Sequence, residues 1–394
     1  MTTRTFRLLP LMIIAIIIPS FVEVDITLPG FPQMAKFFNS SVTNIQWTLV
    51  INFIGLCIFT LFYGPLSDII GRKKVLLFGC FLFFIASIGC SLTNELDFLY
   101  IYRFLQGLGC GAIWVVGFTV ASDAYEGDRV IQIFGILGAT ISASLTVAPM
   151  VGSFIVAEYG WRATYNFVSF LSFISLITAI FLPETNLSKK SFALRAVLSD
   201  YIMLATNGRY LAYALTPSLL VTALIVYVST IPFLYLEQLH MSFHTFALYQ
   251  GLIGGCLAIV GAYSGWIHQR IGASNCILLS VIISCMGCIF LLMTSHMFPN
   301  SAHLFALSMS VICIGTSIQF SMVYAKSLEL FPKLRGISSS LITFFRLILF
   351  SICVLISSKY YTGKLYDTAE MISGIIVVGL ALSLYVRYDL RNSN

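Results

Sequence analysis

Four charged residues lie well inside long apolar stretches of this 394-residue sequence: Glu23, Asp25, Arg103 and Arg346. A charge near the centre of a bilayer costs about 2.5–3.5 kcal/mol on insertion scales, so residues placed there are functional candidates. Carboxylates in such surroundings can bind and release protons, and guanidinium groups can pair with them or attract anions. The sequence therefore predicts proton or ion chemistry inside a membrane.

Asp25 and Arg103 are predicted to lie at similar depth. Asp25 is about 4 residues, roughly 6 Å, from the outer end of the first apolar stretch, and Arg103 is about 6 residues, roughly 9 Å, from the outer end of the fourth. A neighbouring Arg favours the charged form of an Asp, whereas desolvation favours the neutral form. A conformational change that exchanges these environments would bind and release a proton. A static ion pair, or an Arg103 that bonds backbone carbonyls, is the alternative.

Glu23 leaves three roles open. It precedes Asp25 by two residues, about 200° around a helix, so the two side chains cannot point equally into one cavity. We expect Glu23 to be a second proton carrier, a group that binds cationic substrate, or the partner of a polar group on another helix.

Arg346 is the unusual cation. It shares one helical face with two hydroxyl residues and an aromatic residue: Ser339, Thr343 and Phe350. If this face borders a cavity, Arg346 would attract carboxylate or phosphate groups. The alternative is an Arg346 that pairs with Glu23 or with a backbone carbonyl.

Further polar and aromatic side chains of the apolar stretches are candidates to line a substrate cavity: Trp47, Asn52, Trp114, Tyr227 and Gln319. Trp114 is favoured because it is eleven positions after Arg103, on the same helical face. The alternative for each aromatic residue is contact with lipid or packing against another helix.

The elements that must position these residues are transmembrane helices. The chain is 58% hydrophobic and 10% charged, far too little charge to cover the surface of a soluble protein of this size. A spanning helix needs roughly 20 apolar residues. Twelve stretches qualify, approximately 7–29, 44–63, 74–93, 97–121, 130–156, 162–182, 209–234, 245–267, 274–295, 302–325, 335–358 and 369–387. The predicted fold is all-α, with twelve transmembrane helices in two pseudo-symmetric six-helix bundles.

Charge placement predicts the orientation. With a cytoplasmic N-terminus, 16 of the 22 Lys and Arg residues fall on the cytoplasmic side, four fall outside and two lie within helices. This is a positive-inside pattern, so the net charge of +6 reflects topology and excludes nucleic acid as the expected partner. The first stretch is too long for a signal peptide and is predicted to be a retained span.

The charged segment 184–207 divides the chain into an N-terminal bundle, 1–183, and a C-terminal bundle, 208–394. The segment is cationic with an apolar side, so it is either a plain linker or a segment along the inner membrane surface. A faint repeat relates the halves: Gly64, Asp68, Gly71 and Arg72 have the spacing of Gly265, Gln269, Gly272 and Ala273. Repeated halves are a frequent plan of transporters.

The segment GPLSDIIGRKK at 64–74 connects the second and third stretches. Gly64 and Gly71 permit a tight turn, and the cations that begin at Arg72 hold the loop on the cytoplasmic side. Asp68 is predicted to gate that side, either by pairing with a cation or by capping a neighbouring helix end. We expect these four residues to act in conformational change.

This loop resembles the signature loop between helices 2 and 3 of the major facilitator superfamily. IYRFLQGLGCGAIWVV at 101–116 resembles the superfamily's Arg-x-x-Gln-Gly motif, in which the Arg takes part in proton coupling. SLTVAPMVGS at 144–153 resembles the antiporter motif and keeps Pro149 and Gly152. Three of the motif's usual glycines are replaced here by small residues: Ser144, Ala148 and Ser153.

DITLPGFP at 25–32 is similar to the end of the first helix in the bicyclomycin-resistance (Bcr/CflA) branch of drug:proton antiporters. Four other segments also look like that branch: GWRATYNF (160–167), LPET (182–185), YVSTIPF (227–233) and LELFPKLRGISSS (328–340). The resemblance implies a monomeric exporter of small molecules in the bacterial inner membrane, with both termini cytoplasmic. It would work by alternating access, with no cofactor and with the proton gradient as its energy source.

Other functions are weighed against this one. The nearest keeps the fold but changes the cargo to an endogenous anion such as a carboxylate siderophore, or reverses the direction in a metabolite:proton symporter. A remote alternative is a polytopic membrane enzyme or sensor. The only tempting metal pair is His240 and His244, which lack a third partner, and the sequence contains neither a phosphate-binding glycine loop nor an ATP-hydrolysing motif.

Overall fold

The computed structural model describes residues 3–125, 128–186 and 194–392, which fold into long α-helices joined by short connections. The helices of the first half are α1 (Thr3–Thr27), α2 (Phe31–Phe37), α3 (Val42–Ile70), α4 (Arg72–Leu92), α5 (Leu96–Ala124), α6 (Asp128–Tyr159) and α7 (Trp161–Phe181). Those of the second half are α8 (Leu194–Ala205), α9 (Gly208–Pro232), α10 (Phe243–Ile271), α11 (Ala273–Met297), α12 (Ala302–Glu329), α13 (Arg335–Tyr360) and α14 (Leu365–Asn392).

Within the described ranges, eleven segments are long and apolar enough to span a bilayer, and α6 carries a shorter apolar part, Thr146–Tyr159. Large apolar side chains are exposed along these helices, as lipid-facing surfaces require. The predicted all-helical membrane fold is confirmed.

Two local predictions are wrong. The first span does not end at residue 29: a 3₁₀ turn, Leu28–Gly30, leads directly into α2, so the span runs from Leu8 to Phe37. The turn predicted at Gly64 is also absent, because α3 continues through Pro65 to Ile70. Proline inside a membrane helix is tolerated when neighbouring groups bond the freed backbone.

The chain divides into two compact units, Met1–Ala193 and Leu194–Asn394. The division falls inside the segment 184–207. Helix α8 belongs to the second unit, where it packs on α9 and α13.

Glycines in the left-handed region mark equivalent turns in the two units. Gly71 (φ 106°) ends the 29-residue helix α3, and Gly272 (φ 79°) ends the 29-residue helix α10. Gly160 (φ 77°) precedes α7 and Gly363 (φ 87°) precedes α14. Residues with a side chain adopt such φ values only with strain, so glycine is required at these turns. The repeat noticed at Gly71 and Gly272 thus has a structural counterpart.

Glycines also set the close packing of α3 against α5. A Cβ atom on Gly107 would collide with the backbone of Asn52, and one on Gly55 would collide with the backbone of Phe104. Small residues let helix backbones approach in a membrane, where the hydrophobic effect does not drive association. This contact fixes the position of Arg103, which directly precedes Phe104, beside α3.

Candidate functional site

The charged site of the first unit is a buried ion pair between α1 and α5. Arg103 Nη1 donates to Glu23 Oε2 at 2.6 Å, and both side chains have at most 1% of their surface exposed. The same nitrogen lies 2.6 Å from Gln106 Oε1. Because Glu23 and Arg103 carry opposite charges, the pair adds no net charge to the membrane interior.

Arg103 is fixed further by α3 and α7. Its Nε donates to the Thr48 carbonyl at 3.3 Å, and the Arg103 carbonyl accepts from Asn52 Nδ2 at 3.3 Å. The guanidinium carbon lies 5.8 Å from the centroid of the Tyr165 ring, within cation–π range. Nη2 is buried and has no hydrogen-bond partner among the described residues.

The network reaches α4 through one amide. Gln106 Nε2 donates to Ser87 Oγ at 2.8 Å, and both side chains are fully buried. An amide that receives a charged donor on its oxygen and bonds a hydroxyl through its nitrogen has a fixed orientation. Arg103 and Gln106 of the Arg-x-x-Gln motif thus connect Glu23 of α1 to Ser87 of α4 through hydrogen bonds.

The predicted pairing of Asp25 with Arg103 does not occur; Glu23 takes that place. The two acids differ by about 200° around the helix, and only one of those directions meets α5. Asp25 is half-buried, and its carboxylate has neither an ion pair nor a hydrogen bond among the described residues. Of the roles left open for Glu23, the structure places it as the partner of a polar group on another helix.

Pro149 and Gly152 lie on α6 where that helix meets α1. Both are buried, and a Cβ atom on Gly152 would collide with the backbone of Ile26. Gly152 therefore allows α6 to approach α1 directly beside Asp25. Any movement between these two helices would change the surroundings of that carboxylate.

At the predicted cytoplasmic side, Arg72 is the centre of a second polar cluster. Its guanidinium pairs with Asp68 at 2.5 Å and with Asp123 of α5 at 2.9 Å. It also donates to Ser67 Oγ at 2.5 Å and to the Gly64 carbonyl at 3.4 Å. The cluster joins the end of α3, the start of α4 and the end of α5.

Glu184, which the sequence analysis did not single out as a site residue, caps α4 from the segment after α7. Its carboxylate accepts from the backbone amides of Arg72 at 2.9 Å and Lys73 at 3.2 Å. The first amides of a helix lack partners within it and favour negative charge. Asn186 continues the contact by donating to the Asp68 carbonyl at 2.8 Å.

The five candidates for the substrate cavity lie in different surroundings. Trp47 is half-buried. Trp114 is half-buried too, stacks on Phe21 with ring centroids 4.2 Å apart, and donates weakly to the Ser20 carbonyl at 3.4 Å. Trp114 therefore packs against α1, which is the alternative to lining a substrate cavity.

Asn52, Tyr227 and Gln319 have no exposed surface. Asn52 bonds the Arg103 carbonyl, Tyr227 stacks on Phe305, and Gln319 donates to Ser383 Oγ at 3.0 Å. Side chains enclosed in this way cannot contact a substrate in this conformation. The polar type of a residue in an apolar helix does not reveal whether its partner is another helix or a ligand.

Arg346 is half-buried near the middle of α13. Its guanidinium has neither an ion pair nor a hydrogen bond with the described residues of its own unit, Leu194–Asn394. The searched residues also contain no group of three His, Cys, Asp or Glu side chains arranged to hold a metal ion.

Comparison with known proteins adds the family. The profile of the Major Facilitator Superfamily matches residues 13–354. The MFS-type transporter YdgK of Bacillus subtilis is 28% identical over 84% of this chain and 83% of its own length. The multidrug resistance protein MdtL of Vibrio parahaemolyticus is 21% identical, over 92% and 90%.

Two solved structures share the fold. The D-xylose-proton symporter superposes with a TM-score of 0.77 at 14% identity, covering 95% of this chain and 96% of the symporter. The human organic anion transporter MFSD10 superposes with a TM-score of 0.66 at 15% identity, covering 96% and 99%. The fold and the match to the profile agree with the motifs found in the sequence: the chain is a membrane transporter that belongs to the Major Facilitator Superfamily.

Proposed function

We propose that this chain exports small molecules in exchange for protons, by alternating access. The relatives named multidrug resistance protein MdtL support drug efflux as the function. The observation that carries the proton coupling is Asp25, a half-buried acid inside α1 without a charged or hydrogen-bonding partner among the described residues. A carboxyl group in such surroundings can exist in either protonation state, as a proton carrier must.

Glu23 and Arg103 have a different part in this proposal. Arg103 keeps its charge at every physiological pH, and its 2.6 Å contact with Glu23 holds α1 against α5. Asp25 is then the acid whose protonation changes during transport, while Glu23 and Arg103 set the electrostatic surroundings two residues away. Trp47, which keeps accessible surface, remains a candidate for substrate contact.

The Arg72 cluster is proposed to act at the cytoplasmic side. The cluster lies at the Gly71 turn between α3 and α4, where Arg72 bonds Asp68 and the Gly64 carbonyl. Its bonds to α5 would have to break and re-form as that side opens and closes. The ion pairs of the cluster would stabilise the conformation in which they are formed relative to the one in which they are broken. Pro149 and Gly152 are proposed to govern the relative movement of α6 and α1.

The proposed location is the inner membrane of a bacterium, with both termini cytoplasmic and the chain acting as a monomer. The positive-inside distribution of Lys and Arg supports this orientation. Assignment to the bicyclomycin-resistance branch stays a prediction.

The test is substrate-induced proton release from the purified, detergent-solubilised protein, comparing the native chain with Asp25→Asn. The ligands tested are neutral drugs, lipophilic cations and citrate-like carboxylates. We expect release with at least one ligand class, and we expect the Asp25→Asn protein to bind that ligand without release. Asp97→Asn is the matched control, because Asp97 is an exposed acid in the first turn of α5. Ligand binding by the native protein with no proton release would contradict antiport.

A further inference from the structure

We infer that Arg346 binds an anionic group of the transported molecule, preferably the carboxylate of an aromatic acid. The inference deepens the proposed function and rests on it, because it names the chemical class of the cargo. It starts from the charges that the membrane helices contain.

Glu23 and Arg103 neutralise each other at 2.6 Å, which leaves Asp25 and Arg346 as the intramembrane charges that have no ion pair or hydrogen bond with the described residues of their own units. These two differ in what they can do. Asp25 can become neutral by taking up a proton, whereas a guanidinium cannot lose its proton in a protein. Arg346 therefore needs an anion or water beside it whenever the transporter is in the membrane.

The surroundings of Arg346 supply what an anion with an attached ring would use. Arg346 shares one face of α13 with Ser339 and Thr343, and Tyr324 of α12 reaches that face at Ser339. The Tyr324 hydroxyl lies 2.8 Å from Ser339 Oγ. Thr343 follows one turn later on the same face, and its hydroxyl donates to the Ser339 carbonyl at 3.0 Å. These three hydroxyl groups and Arg346 are all half-buried, so they are neither sealed in the bundle nor fully exposed.

An aromatic surface continues from this polar group. Phe320 stacks on Tyr324 with ring centroids 6.4 Å apart and an interplanar angle of 15°, and Phe320 is half-buried as well. Guanidinium groups bind carboxylates through two parallel hydrogen bonds and also stack on aromatic faces. The arrangement of a cation, hydroxyl groups and an aromatic ring fits an aryl carboxylate better than a simple inorganic anion, which would leave the rings unused.

The experiment measures binding of matched acid and ester pairs to the purified native protein at about pH 8, where carboxylic acids are ionised. The probes are benzoate, salicylate, 2-naphthoate and the quinolone norfloxacin, each beside its methyl ester. The readout is the ratio of the ester Kd to the acid Kd, with each Kd measured by thermal unfolding and by ligand fluorescence. We expect a ratio of about tenfold or more for at least one pair, because charge-assisted bonds are much stronger than neutral ones.

Arg346→Gln should reduce that ratio to about one while the ester binds as before. Arg346→Lys should give an intermediate ratio, since a lysine keeps the charge but not the planar pair of donors. Lys359→Gln removes an exposed charge from the last turn of the same helix and should leave the ratio unchanged. If Arg346→Gln fails to fold, Arg346→Lys and Tyr324→Phe supply the same comparison.

Two results would overturn the inference: no pair in which the native protein prefers the acid, or an acid preference that survives in Arg346→Gln. A purely structural Arg346 would weaken acids and esters equally. Failure of the proposed function is separate, because proton release depends on Asp25 and can be lost or present whatever the acid preference. Release with neutral drugs and no acid preference would reject only the inference.

Discussion

The two acids of α1 show how a difference of two residues separates a structural charge from a functional one. Glu23 meets Arg103 across the contact of α1 with α5 and is almost completely enclosed. Asp25 points away from that contact and keeps part of its surface. Removing one partner of a buried pair leaves the other charge unpaired, so Glu23 and Arg103 should depend on each other for stability.

We therefore expect Glu23→Gln to lower the free energy of unfolding by about 3–5 kcal/mol, because Arg103 cannot neutralise itself. Arg103→Gln should cost less, since an unpaired Glu23 can bind a proton. The double variant Glu23→Gln/Arg103→Gln should be less destabilised than the sum of the single variants. Unfolding in detergent, followed by intrinsic fluorescence, measures all three.

Equal losses of stability in the two single variants, and a double variant that loses the sum of both, would show that the two side chains contribute packing and not the attraction between their charges.

Sequence reasoning could find these charges but not their partners. Glu23, Asp25, Arg103 and Arg346 were recognisable because a charge inside an apolar stretch is costly. The choice between Glu23 and Asp25 as the partner of Arg103 depends on the rotation of α1 about its axis. Tertiary packing sets that rotation, and the nearly uniform hydrophobicity of α1 does not specify it.

At the scale of helices, glycines decide how closely α3 and α5 approach. We expect Gly107→Ala to lower the free energy of unfolding by about 1–3 kcal/mol, because its Cβ atom would collide with the backbone of α3 at Asn52. Gly374→Ala is the matched control: Gly374 lies inside α14 and a Cβ atom there meets nothing within 4 Å. That substitution should be neutral or slightly stabilising, since alanine favours helix. Equal thermal stability of the two variants would contradict the packing argument.

The start of α4 depends on a residue far away in the sequence. Glu184 lies 112 positions from Arg72, whose amide it caps, so no local pattern in the sequence could reveal the contact. The segment LPET was recognisable only as a resemblance. The physical reason for its acid is the set of free amides at the start of α4.

We expect Glu184→Gln to destabilise that end of α4 by about 0.5–2 kcal/mol, the usual worth of a helix cap. Hydrogen exchange should be faster at the amides of Arg72 and Lys73 and unchanged in the middle of the helix. Glu158→Gln, which changes an exposed acid in the last turn of α6, should leave those amides protected. Unaltered exchange at Arg72 in Glu184→Gln would mean that the cap contributes nothing to this helix end.

At the scale of the whole molecule, twelve apolar stretches predicted most of the fold because the bilayer sets the length of its helices. The positions of turns were less accessible. Gly71 rather than Gly64 ends α3, because Pro65 is accommodated within the helix. Both residues are glycine but only Gly71 has a positive φ, so the residue type alone does not identify the turn. The repeated glycine at Gly272 was the better guide, because it identified the equivalent turn in the second unit.

The last prediction concerns orientation, which the distribution of charge determines as a whole. Sixteen of 22 Lys and Arg residues fall on one side when the N-terminus is cytoplasmic, and long apolar helices alternate direction from there. A green fluorescent protein fused after residue 394 should therefore fluoresce in a bacterial host. Alkaline phosphatase folds only outside the cytoplasm. It should be active when fused after Gly363, which is predicted to lie outside, and inactive when fused after Gly272, which is predicted to lie inside. Activity at Gly272 with inactivity at Gly363 would invert the topology, and it would place the Arg72 cluster on the outer side, where the proposed cytoplasmic gate could not operate.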